Sequence, residues 1–564
     1  MYLQPHGFRN KFGMTITKGA TMSIDHLLTT SNNALLSVYD KTGIAEFAKG
    51  LHALGWNIIS SGGTAKVVAE AGVPVTDVAE LVGGEAILGH RVVTLSREIH
   101  SGLLADAAKP EDLAELKGRN IPFIDLVAVD MYPLEEEIAG GEATLQSVIE
   151  KTDIGGPTML RAGAKARRIV LSRADQRSEV LQWLTEGKPE EKSFRDKLCA
   201  VAEYECARYI MISARYHGGE EVAGWIGRRV APTKYGENPW QTPAGLYADN
   251  RVAADPLGLD QFTHQKGWEL SYINETDMHR LLQTVTHIAA GFEANFGEVP
   301  AIAVGVKHGN ACGVGVAETA AEAVQKMLEG DETAIFGGVV LVNGPIDATV
   351  ATTLMTYHMP DGQNRLLDGV VGSSVTPEAM EILGRAKLRI VTNSALASLT
   401  KDSLETALIY RNVRGGMLVQ PNYTFVADLK AEYIEQNGTV SDQQLRDMIQ
   451  AWAVGSTSNS NTICIVKDGK MLGNGVGQQD RVGAAKLAVT RATSRDHDLT
   501  GAAAYSDSFF PFPDGPLVLA EAGITAILTS SGSIKDPEVV RVLADKSVST
   551  TMLPDKLGRG FFGH

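Results

Sequence analysis

Between residues 34 and 175, short apolar segments alternate with helical patterns, and this order limits the possible fold more than any other feature. ALLSVYD and NIIS are typical of strands, GIAEFAKGLHALG of a helix that ends at a glycine, and FIDLVAVDMY of a longer apolar strand. Strands that alternate with helices along a chain form parallel sheets with helices on both faces. This part of the sequence therefore predicts an α/β domain.

The chain has 564 residues, which is too long for one hydrophobic core and indicates several domains. We expect a boundary near residue 229, where GGEEVAGWIGRRVAPTKYGENPW follows a helical segment. Residues 34–228 are then one α/β domain with a helical tail, and residues 229–564 form a mixed α/β region that is long enough for two similar lobes. Residues 1–33 lack the apolar core of a secretory signal and are expected to be a poorly ordered extension.

The composition excludes some classes of protein. A net charge of −15 argues against a nucleic-acid partner, because phosphate backbones require a basic surface. No apolar run reaches the length of a membrane span, so no membrane partner is expected. The cysteines form no Cys-x-x-Cys pair, which indicates neither a disulfide framework nor a zinc site, and Cys199 and Cys206 are expected in a helical core. These features fit a protein of the reducing cytoplasm.

Several polar loops in the first half are suited to binding an anion. SSGGTAK lies between a predicted strand and a predicted helix, where glycines and a helix N-terminus let backbone N–H groups approach a phosphate. The same residues are also good helix-capping chemistry without any ligand. Three further clusters, SVYDKTG, HRVVTL and DIGGPTMLRAGAK, are expected at the carboxyl edge of the same sheet, where α/β proteins bind ligands. Together they indicate a phosphorylated small molecule.

In the second half, GVKHGNACGVGV places Lys307 and His308 together at the end of an apolar strand. Taken alone, such a pair is most often a polar strand end that leads into a loop. A histidine can also take a proton near neutral pH, because its unperturbed pKa is about 6.5. A functional role is favoured over a simple strand end if other functional residues accompany the pair.

The motifs of the first half resemble the IMP cyclohydrolase domain of the PurH family of bifunctional purine enzymes. The resemblance rests on SVYDKTGI, SSGGTAK, MYPLEEEIA and DIGGPTMLRAGAK, and it implies a methylglyoxal-synthase-like fold. It also implies that Tyr132, Asp153 and Lys165 take part in closing the purine ring. The residues that the resemblance assigns to nucleotide binding are Lys41, Ser61, Gly63, Thr64, Arg91 and Thr94.

The second half resembles the AICAR transformylase domain of the same family, with a two-lobed, cytidine-deaminase-like fold. The resemblance rests on KYGENPWQTPAGLY, GVKHGNACG, STSNSNT, GNGVGQQDRV and SDSFFPFPDG. It implies that His308 is the proton shuttle, that Lys307 assists it, and that Asn461 donates to the formyl oxygen. The residues implied to bind substrate are Lys234, Tyr235, Asn274, Gly337, Arg481, Phe509 and Asp514.

The implied reactions are the last two steps of de novo purine synthesis. A formyl group passes from 10-formyltetrahydrofolate, the co-substrate, to the 5-amino group of AICAR, and formyl-AICAR then closes to IMP with loss of water. The family's enzymes are homodimers, so a homodimer is expected, and a bound monovalent cation such as K⁺ is a further expectation.

Two alternatives come from positions that depart from the family's motifs. Val93, Asp130 and Ala166 stand where the family has lysine, asparagine and asparagine, and an aspartate near a phosphate would repel it. The chain could therefore be a transformylase whose first site is impaired, or a divergent paralogue that acts on an AICAR-like analogue. A third alternative, from another class of protein, is a non-catalytic protein that binds the nucleotide. The presence of Lys307, His308 and Asn461 argues against it.

Overall fold

The computed structural model describes residues 24–29, 32–88, 91–249 and 255–563. The chain divides into two compact units, at residue 226. Most of the predicted extension, residues 1–23 and 30–31, lies outside the described residues. Within it, a helix covers Ile24–Thr29 and buries Leu27.

A five-stranded sheet forms the middle of the first unit, in the order β3-β2-β1-β4-β5. All neighbouring strands are parallel. Its strands are β1 (Asn33–Val38), β2 (Asn57–Ser60), β3 (Val75–Asp77), β4 (Leu126–Asp130) and β5 (Ile169–Leu171). Its helices are α1 (Ile24–Thr29), α2 (Ile44–Ala53), α3 (Gly62–Glu70), α4 (Val78–Val82), α5 (Arg97–Leu104), α6 (Pro110–Gly118), α7 (Leu134–Ala139), α8 (Leu145–Lys151), α9 (Gly155–Lys165), α10 (Gln176–Thr185) and α11 (Glu191–Gly218).

Both faces of this sheet are covered by helices, as the alternating pattern predicts. Side chains of a strand alternate between faces, and Leu36 and Leu35 enter different hydrophobic clusters. The first cluster includes Phe47 of α2, and the second includes Leu160 of α9. Cys199 and Cys206 are buried and unpaired in the second cluster, so their predicted core position is confirmed.

The second unit is built around one mixed sheet of twelve strands, in the order β16-β21-β20-β19-β17-β18-β10-β9-β11-β12-β13-β8. Two separate hairpins, β6–β7 and β14–β15, lie outside it. The strands are β6 (Arg228–Thr233), β7 (Ala244–Ala248), β8 (Thr263–Lys266), β9 (Ala301–Lys307), β10 (Asn310–Ala317), β11 (Val339–Val342), β12 (Gly369–Gly372), β13 (Arg389–Thr392), β14 (Ile409–Val413), β15 (Gly416–Gln420), β16 (Glu435–Asn437), β17 (Ile463–Lys467), β18 (Lys470–Gly475), β19 (Ala503–Ser506), β20 (Ala526–Ser531) and β21 (Ser549–Pro554).

The helices of the second unit repeat one arrangement twice. They are α12 (Tyr272–Phe296), α13 (Ala320–Gly330), α14 (Ala348–Thr356), α15 (Pro377–Ile382), α16 (Asp442–Ser456), α17 (Arg481–Thr493), α18 (Asp514–Glu521), α19 (Asp536–Asp545) and α20 (Asp555–Gly558). In each lobe a long helix, α12 or α16, precedes an antiparallel hairpin, and three parallel strands joined by helices follow. The predicted two-lobed α/β region is thus present, and β10 pairs with β18 where the lobes meet.

Candidate active sites

Lys41 and the glycine loop lie together at the carboxyl edge of the first unit's sheet. Lys41 Nζ donates to the carbonyl oxygens of Val38 and, at 3.0 Å, of Tyr39. A Cβ added to Gly63 would lie 3.4 Å from Lys41 Cε, so the lysine stem passes directly over this glycine. The pKa of Lys41 is lowered, because the effect of burial exceeds that of the nearby Asp130 and Asp40 charges, which raise it. The arrangement places a lysine beside a glycine loop at a helix N-terminus, which is suited to an anion.

The two hydroxyl residues of this loop have different surroundings. Thr64 is buried, and its Oγ1 donates to Val38 O at 3.1 Å and accepts from Val38 N at 3.3 Å. It therefore joins α3 to β1 and is already used by the fold. Ser61 occupies the N-cap position of α3 without making a side-chain capping bond. Its hydroxyl is the better placed of the two to contact a ligand.

Tyr132 and Asp153 form a second group at the same edge. Asp153 Oδ1 accepts from the backbone N–H of Gly156 at 2.8 Å. Burial raises the pKa of Asp153, and burial and the Asp153 charge raise the pKa of Tyr132. Thr94 joins the group, since its Oγ1 lies 2.9 Å from where a Cβ of Gly155 would stand. A protonatable carboxyl and a phenol are therefore held together beside the glycine turn.

Arg91 is exposed and reaches this region through the end of α8. Its Nη2 lies 2.6 Å from Glu150 Oε1. The next residue, Lys151, donates from Nζ to Tyr39 Oη at 3.2 Å, and the Tyr39 ring lies 5.5 Å from that of Tyr132. Arg91 is thus near the predicted site, but an acidic partner already neutralises it.

In the second unit, Lys307 and His308 occupy a tight turn between β9 and β10. His308 and Gly309 have φ angles of +53° and +73°, which is the geometry of a two-residue hairpin turn. The His308 side chain is exposed. Lys307 Nζ donates to Phe336 O at 2.6 Å, which brings the turn beside Gly337.

The loop that carries Asn461 comes from the other lobe and meets this turn. The backbone N–H of Asn459 donates to Asn310 Oδ1 at 3.3 Å, directly after the Lys-His turn. Asn461 Nδ2 donates to Gln478 O at 2.9 Å, and the backbones of these two residues exchange two further hydrogen bonds. The turn that contains His308 and the loop that contains Asn461 therefore meet, although they come from distant segments.

Asp507 ties the same loop to Arg481. Asp507 Oδ2 accepts from Ser460 Oγ at 2.6 Å and from Thr462 N at 3.0 Å, and Oδ1 lies 3.5 Å from Arg481 Nη2. Burial raises the pKa of Asp507, while the Ser460 hydrogen bond and the Arg481 charge lower it. Arg481 Nε is buried without a hydrogen-bond partner among the described residues. A buried donor of this kind requires an acceptor, and a bound ligand can supply one.

The remaining predicted residues of the second unit are more dispersed. Asn274 lies in the first turn of α12, where its Oδ1 accepts from Ser271 N and Oγ in a capping box, so its carbonyl oxygen serves the helix. Lys234 and Tyr235 follow β6, with the ammonium 5.9 Å from the Tyr235 ring. Phe509 lies 5.8 Å below the Arg559 guanidinium, and Asp514 begins α18.

Comparisons with known proteins show the family of the chain. Residues 164–491 match the family model described as the AICARFT/IMPCHase bienzyme, and residues 43–158 match the MGS-like domain. The chain belongs to the AICARFT/IMPCHase bienzyme family. It is therefore a bifunctional AICAR formyltransferase and IMP cyclohydrolase of de novo purine biosynthesis, and its formyl transfer is folate-dependent.

Similar proteins include bifunctional purine biosynthesis protein PurH from two cyanobacteria. The protein of Synechococcus elongatus is 38% identical over 90% of this chain and 95% of its own length. That of Nostoc punctiforme is 36% identical over 91% and 96%. The crystal structure of ForH matches 34% of this chain and all of its own, at 33% identity and a TM-score of 0.29.

The structure does not bring Lys165 to the group formed by Tyr132 and Asp153. Lys165 is the last residue of α9, whereas Asp153 precedes the first residue of that helix. At a rise of about 1.5 Å per residue, the helix separates the two by about 15 Å. β5 begins four residues later at Ile169, so Lys165 lies at the amino edge of the sheet, and Ala166 is beside it. Of the predicted ring-closing residues, only Tyr132 and Asp153 share the site.

Two departures from the family's motifs have a clear structural setting. Asp130 Oδ1 lies 3.1 Å from Arg177 Nη2, and its Oδ2 accepts from Asp40 N at 2.8 Å. The negative charge that was expected to repel a phosphate is thus paired with a buried arginine. Val93 packs against the hydrophobic cluster under the sheet. The sequence did not point to Arg177, because nothing in its local sequence distinguishes it from an exposed arginine.

No helix in the described part of the chain is long and apolar enough to cross a membrane. The described residues also contain no cluster of three or more His, Cys, Asp or Glu side chains that could hold a metal ion.

Proposed function

We propose that His308, Lys307 and Asn461 carry out the formyl transfer, with 10-formyltetrahydrofolate as the donor. The amine of AICAR is a weak nucleophile because its lone pair is delocalised into the ring. His308 accepts the proton that this nitrogen loses as it attacks the formyl carbon, and Asn461 donates its second amide N–H to the developing oxyanion. Lys307 is fixed by Phe336 O beside the histidine.

The observation that carries this proposal is the hydrogen bond from Asn459 N to Asn310 Oδ1. It joins the turn of His308 to the loop of Asn461, although the two segments are about 150 residues apart and belong to different lobes. Arg481, with its unpartnered Nε, is proposed to bind the substrate near this junction. Lys234, Tyr235, Asn274, Gly337, Phe509 and Asp514 remain predicted binding residues of the surrounding pocket.

For ring closure, we propose a site at the carboxyl edge of β1, β2 and β4. Lys41, Ser61 and Gly63 hold the anionic part of the nucleotide, and Tyr132 and Asp153 handle the protons of the closing ring. The raised pKa values of Asp153 and Tyr132 favour this role, because each group holds its proton more tightly than a free side chain does. Arg91, Thr94 and Thr64 support the site, and Lys165 and Ala166 lie outside it.

We also propose that the protein works as a homodimer in the cytoplasm. The hairpin β14–β15 forms a separate two-stranded sheet that leaves Val413, Met417 and Leu418 exposed. A two-stranded hairpin is marginally stable unless it packs against another surface, and a second subunit would supply one. A bound monovalent cation remains a prediction that would be tested by activity with and without K⁺.

The role of His308 is tested by His308→Ala, with AICAR and 10-formyltetrahydrofolate as substrates. Loss of a general base is expected to lower the rate of tetrahydrofolate release about 10²- to 10⁴-fold. The matched control is His358→Ala, because His358 is also exposed, also has a positive φ and pairs with Glu332. Near wild-type turnover in both variants would contradict the proposal.

A further inference from the structure

The peptide of Gly309, next to His308, is held on both sides by charged residues of α12. Asp277 Oδ1 accepts from Gly309 N at 2.8 Å, and Arg280 Nε donates to Gly309 O at 2.7 Å. The two side chains are one helical turn apart, so they lie on the same face of α12. Both are buried, with 5% and 8% of their surface exposed. They form a rigid support for the turn that presents His308.

The second lobe contains the same turn with a different chemistry. Asp468 and Gly469 have φ angles of +52° and +74°, close to those of His308 and Gly309. Asp447 of α16 accepts from the backbone N–H groups of both, at 2.9 and 2.8 Å. Its place in α16 matches that of Asp277 in α12, since each is the sixth residue of its helix. A buried aspartate under this turn is therefore a general feature of the lobe.

The first lobe differs in what it adds to this shared feature. The turn carries His308 where the second lobe has Asp468, and α12 carries Arg280 where α16 has Gln450. Arg280 also donates from Nη1 to Phe562 O at 2.7 Å and from Nη2 to Asn459 Oδ1 at 3.2 Å. The support of the histidine turn is thus linked to the loop of Asn461, and only in this lobe does the aspartate face a titratable ring.

The charged groups around His308 come from three elements. Lys307 belongs to its own strand, with the ammonium turned to Phe336 O. Asp277 and Arg280 face it from α12, and Asp368 lies close enough to interact electrostatically with Asp277. Burial raises the pKa of Asp277, whereas the Gly309 hydrogen bond and His308 lower it. Asp277 is the acidic group that contacts the turn directly.

We propose that Asp277 is a positioning residue for His308, which fixes the turn and stabilises the imidazolium formed when the substrate amine gives up its proton. The inference rests on the proposed role of His308. The proton moves from the amine nitrogen to the imidazole as the nitrogen–carbon bond forms. A buried carboxylate that is hydrogen-bonded to the turn favours the charged ring, because the two groups carry opposite charges.

The test compares Asp277→Asn with Asp447→Asn in the full-length enzyme. Asparagine removes the charge and keeps one acceptor oxygen. Asp277→Asn can therefore retain its hydrogen bond to Gly309 N, whereas Asp447→Asn loses one of its two, so the control loses at least as much structural support. The rate of tetrahydrofolate release is measured from about pH 5.5 to 9, with kcat and KM for AICAR determined separately. Asp277→Asn is expected to lower kcat about tenfold, to change KM less than twofold, and to move the acidic limb of the pH–rate profile about one unit lower.

Asp447→Asn is expected to leave kcat and the acidic limb at their wild-type values. Equal effects of the two substitutions on kcat and pH profile would reduce Asp277 to a structural residue and overturn the inference. If Asp277→Asn does not fold, Asp277→Glu keeps the charge and shifts the turn, so its acidic limb should stay in place while kcat falls. A displaced limb in Asp277→Glu would also contradict the inference.

His308→Ala separates this inference from the proposed function. If His308→Ala keeps its turnover, His308 is not the base, and both proposals are wrong. If His308→Ala is inactive while Asp277→Asn behaves like the wild type, the proposed function stands and the inference about Asp277 alone is overturned.

Discussion

At the scale of single residues, Asp130 shows why a departure from a motif has to be judged in three dimensions. Next to a predicted phosphate site, an added carboxylate indicates repulsion. The structure pairs it with Arg177, whose side chain is 8% exposed and lies 47 positions further along the chain. An ion pair between such distant residues leaves no signal in a single sequence, so its compensating charge could not have been predicted.

Asn274 and Thr64 show that a motif does not determine which hydrogen bonds its side chains make. Their motifs indicate ligand contacts, and the structure shows that the Asn274 carbonyl oxygen caps α12 and that the Thr64 hydroxyl holds β1. Capping chemistry and ligand chemistry use the same small polar side chains. Local sequence therefore predicted where these residues lie, but not which bonds they make.

Glu275 gives a pH-dependent prediction at the residue scale. Burial raises the pKa of Glu275 to about 7, and its Oε2 has no hydrogen-bond partner among the described residues. A raised folded-state pKa means that the folded protein holds this proton more tightly than the unfolded chain. The contribution of Glu275 to the free energy of unfolding is therefore largest below about pH 4.5 and is lost as the pH rises through about 7.

Glu275→Gln should accordingly raise the free energy of unfolding at pH 8 by up to about 3 kcal/mol, and much less at pH 5. Urea unfolding at the two pH values measures the difference. Glu322→Gln is the matched control, because Glu322 also lies in the first turn of a helix but is exposed. A gain that is equal at both pH values would show that burial of the charge is not the cause.

At the scale of elements, glycines allow a helix to lie directly on each hairpin of the second unit. A Cβ on Gly315 would stand 1.9 Å from Ala323 O of α13, and one on Gly475 would stand 2.2 Å from Ala484 O of α17. Gly313 and Gly473, two residues earlier in the same strands, lie similarly close to the backbones of the same two helices. The repeated glycines are therefore a feature of the sequence that reflects the shared architecture of the two lobes.

Gly315→Ala is expected to reduce the free energy of unfolding by about 3 kcal/mol or more, because backbone atoms of α13 must move to admit the methyl group. Gly344→Ala serves as the control, since no atom lies within 4 Å of its added Cβ, and its effect should stay within about 0.5 kcal/mol. Denaturation curves of both variants provide the comparison. Similar stability of the two would mean that the hairpin and helix are not tightly packed.

The alternation of apolar segments predicted the parallel sheet. That the loops at its carboxyl edge bind an anion stays a prediction. Lys165 could not be placed in this way. Its motif fixes a position in the chain, but the direction of α9 carries the lysine away from the edge where Asp153 lies. The direction of a helix follows from the connections of the sheet, which a local motif does not contain.

At the scale of the whole molecule, the proposal that formyl transfer and ring closure take place in separate units fits the presence of two cores. Each unit buries its own hydrophobic clusters around its own sheet. Contacts such as Arg280 Nη1 to Phe562 O, 282 residues apart, close the second unit on itself. Such long-range contacts were beyond prediction from sequence, because neither partner's motif refers to the other.

The proposed homodimer gives a prediction at this scale. Leu418→Asp places a charge on the exposed face of the hairpin β14–β15, where Leu418 is 61% exposed. Burying an unpaired charge in an interface is costly, so sedimentation should show a shift from twice the chain mass of 60.3 kDa toward the single mass. Leu113→Asp, at an exposed leucine of the first unit, should sediment as the wild type does. A wild type that is monomeric would refute the dimer directly.

The most direct test of the account is a crossed assay of His308→Ala and Asp153→Ala. Each purified variant is given AICAR with 10-formyltetrahydrofolate, and separately formyl-AICAR, and the nucleotide products are chromatographed. The account predicts that His308→Ala forms formyl-AICAR at least about 100-fold more slowly but still converts it to IMP, and that Asp153→Ala accumulates formyl-AICAR. Loss of both activities in either variant, or loss of neither, would contradict the assignment of the two reactions to two separate sites.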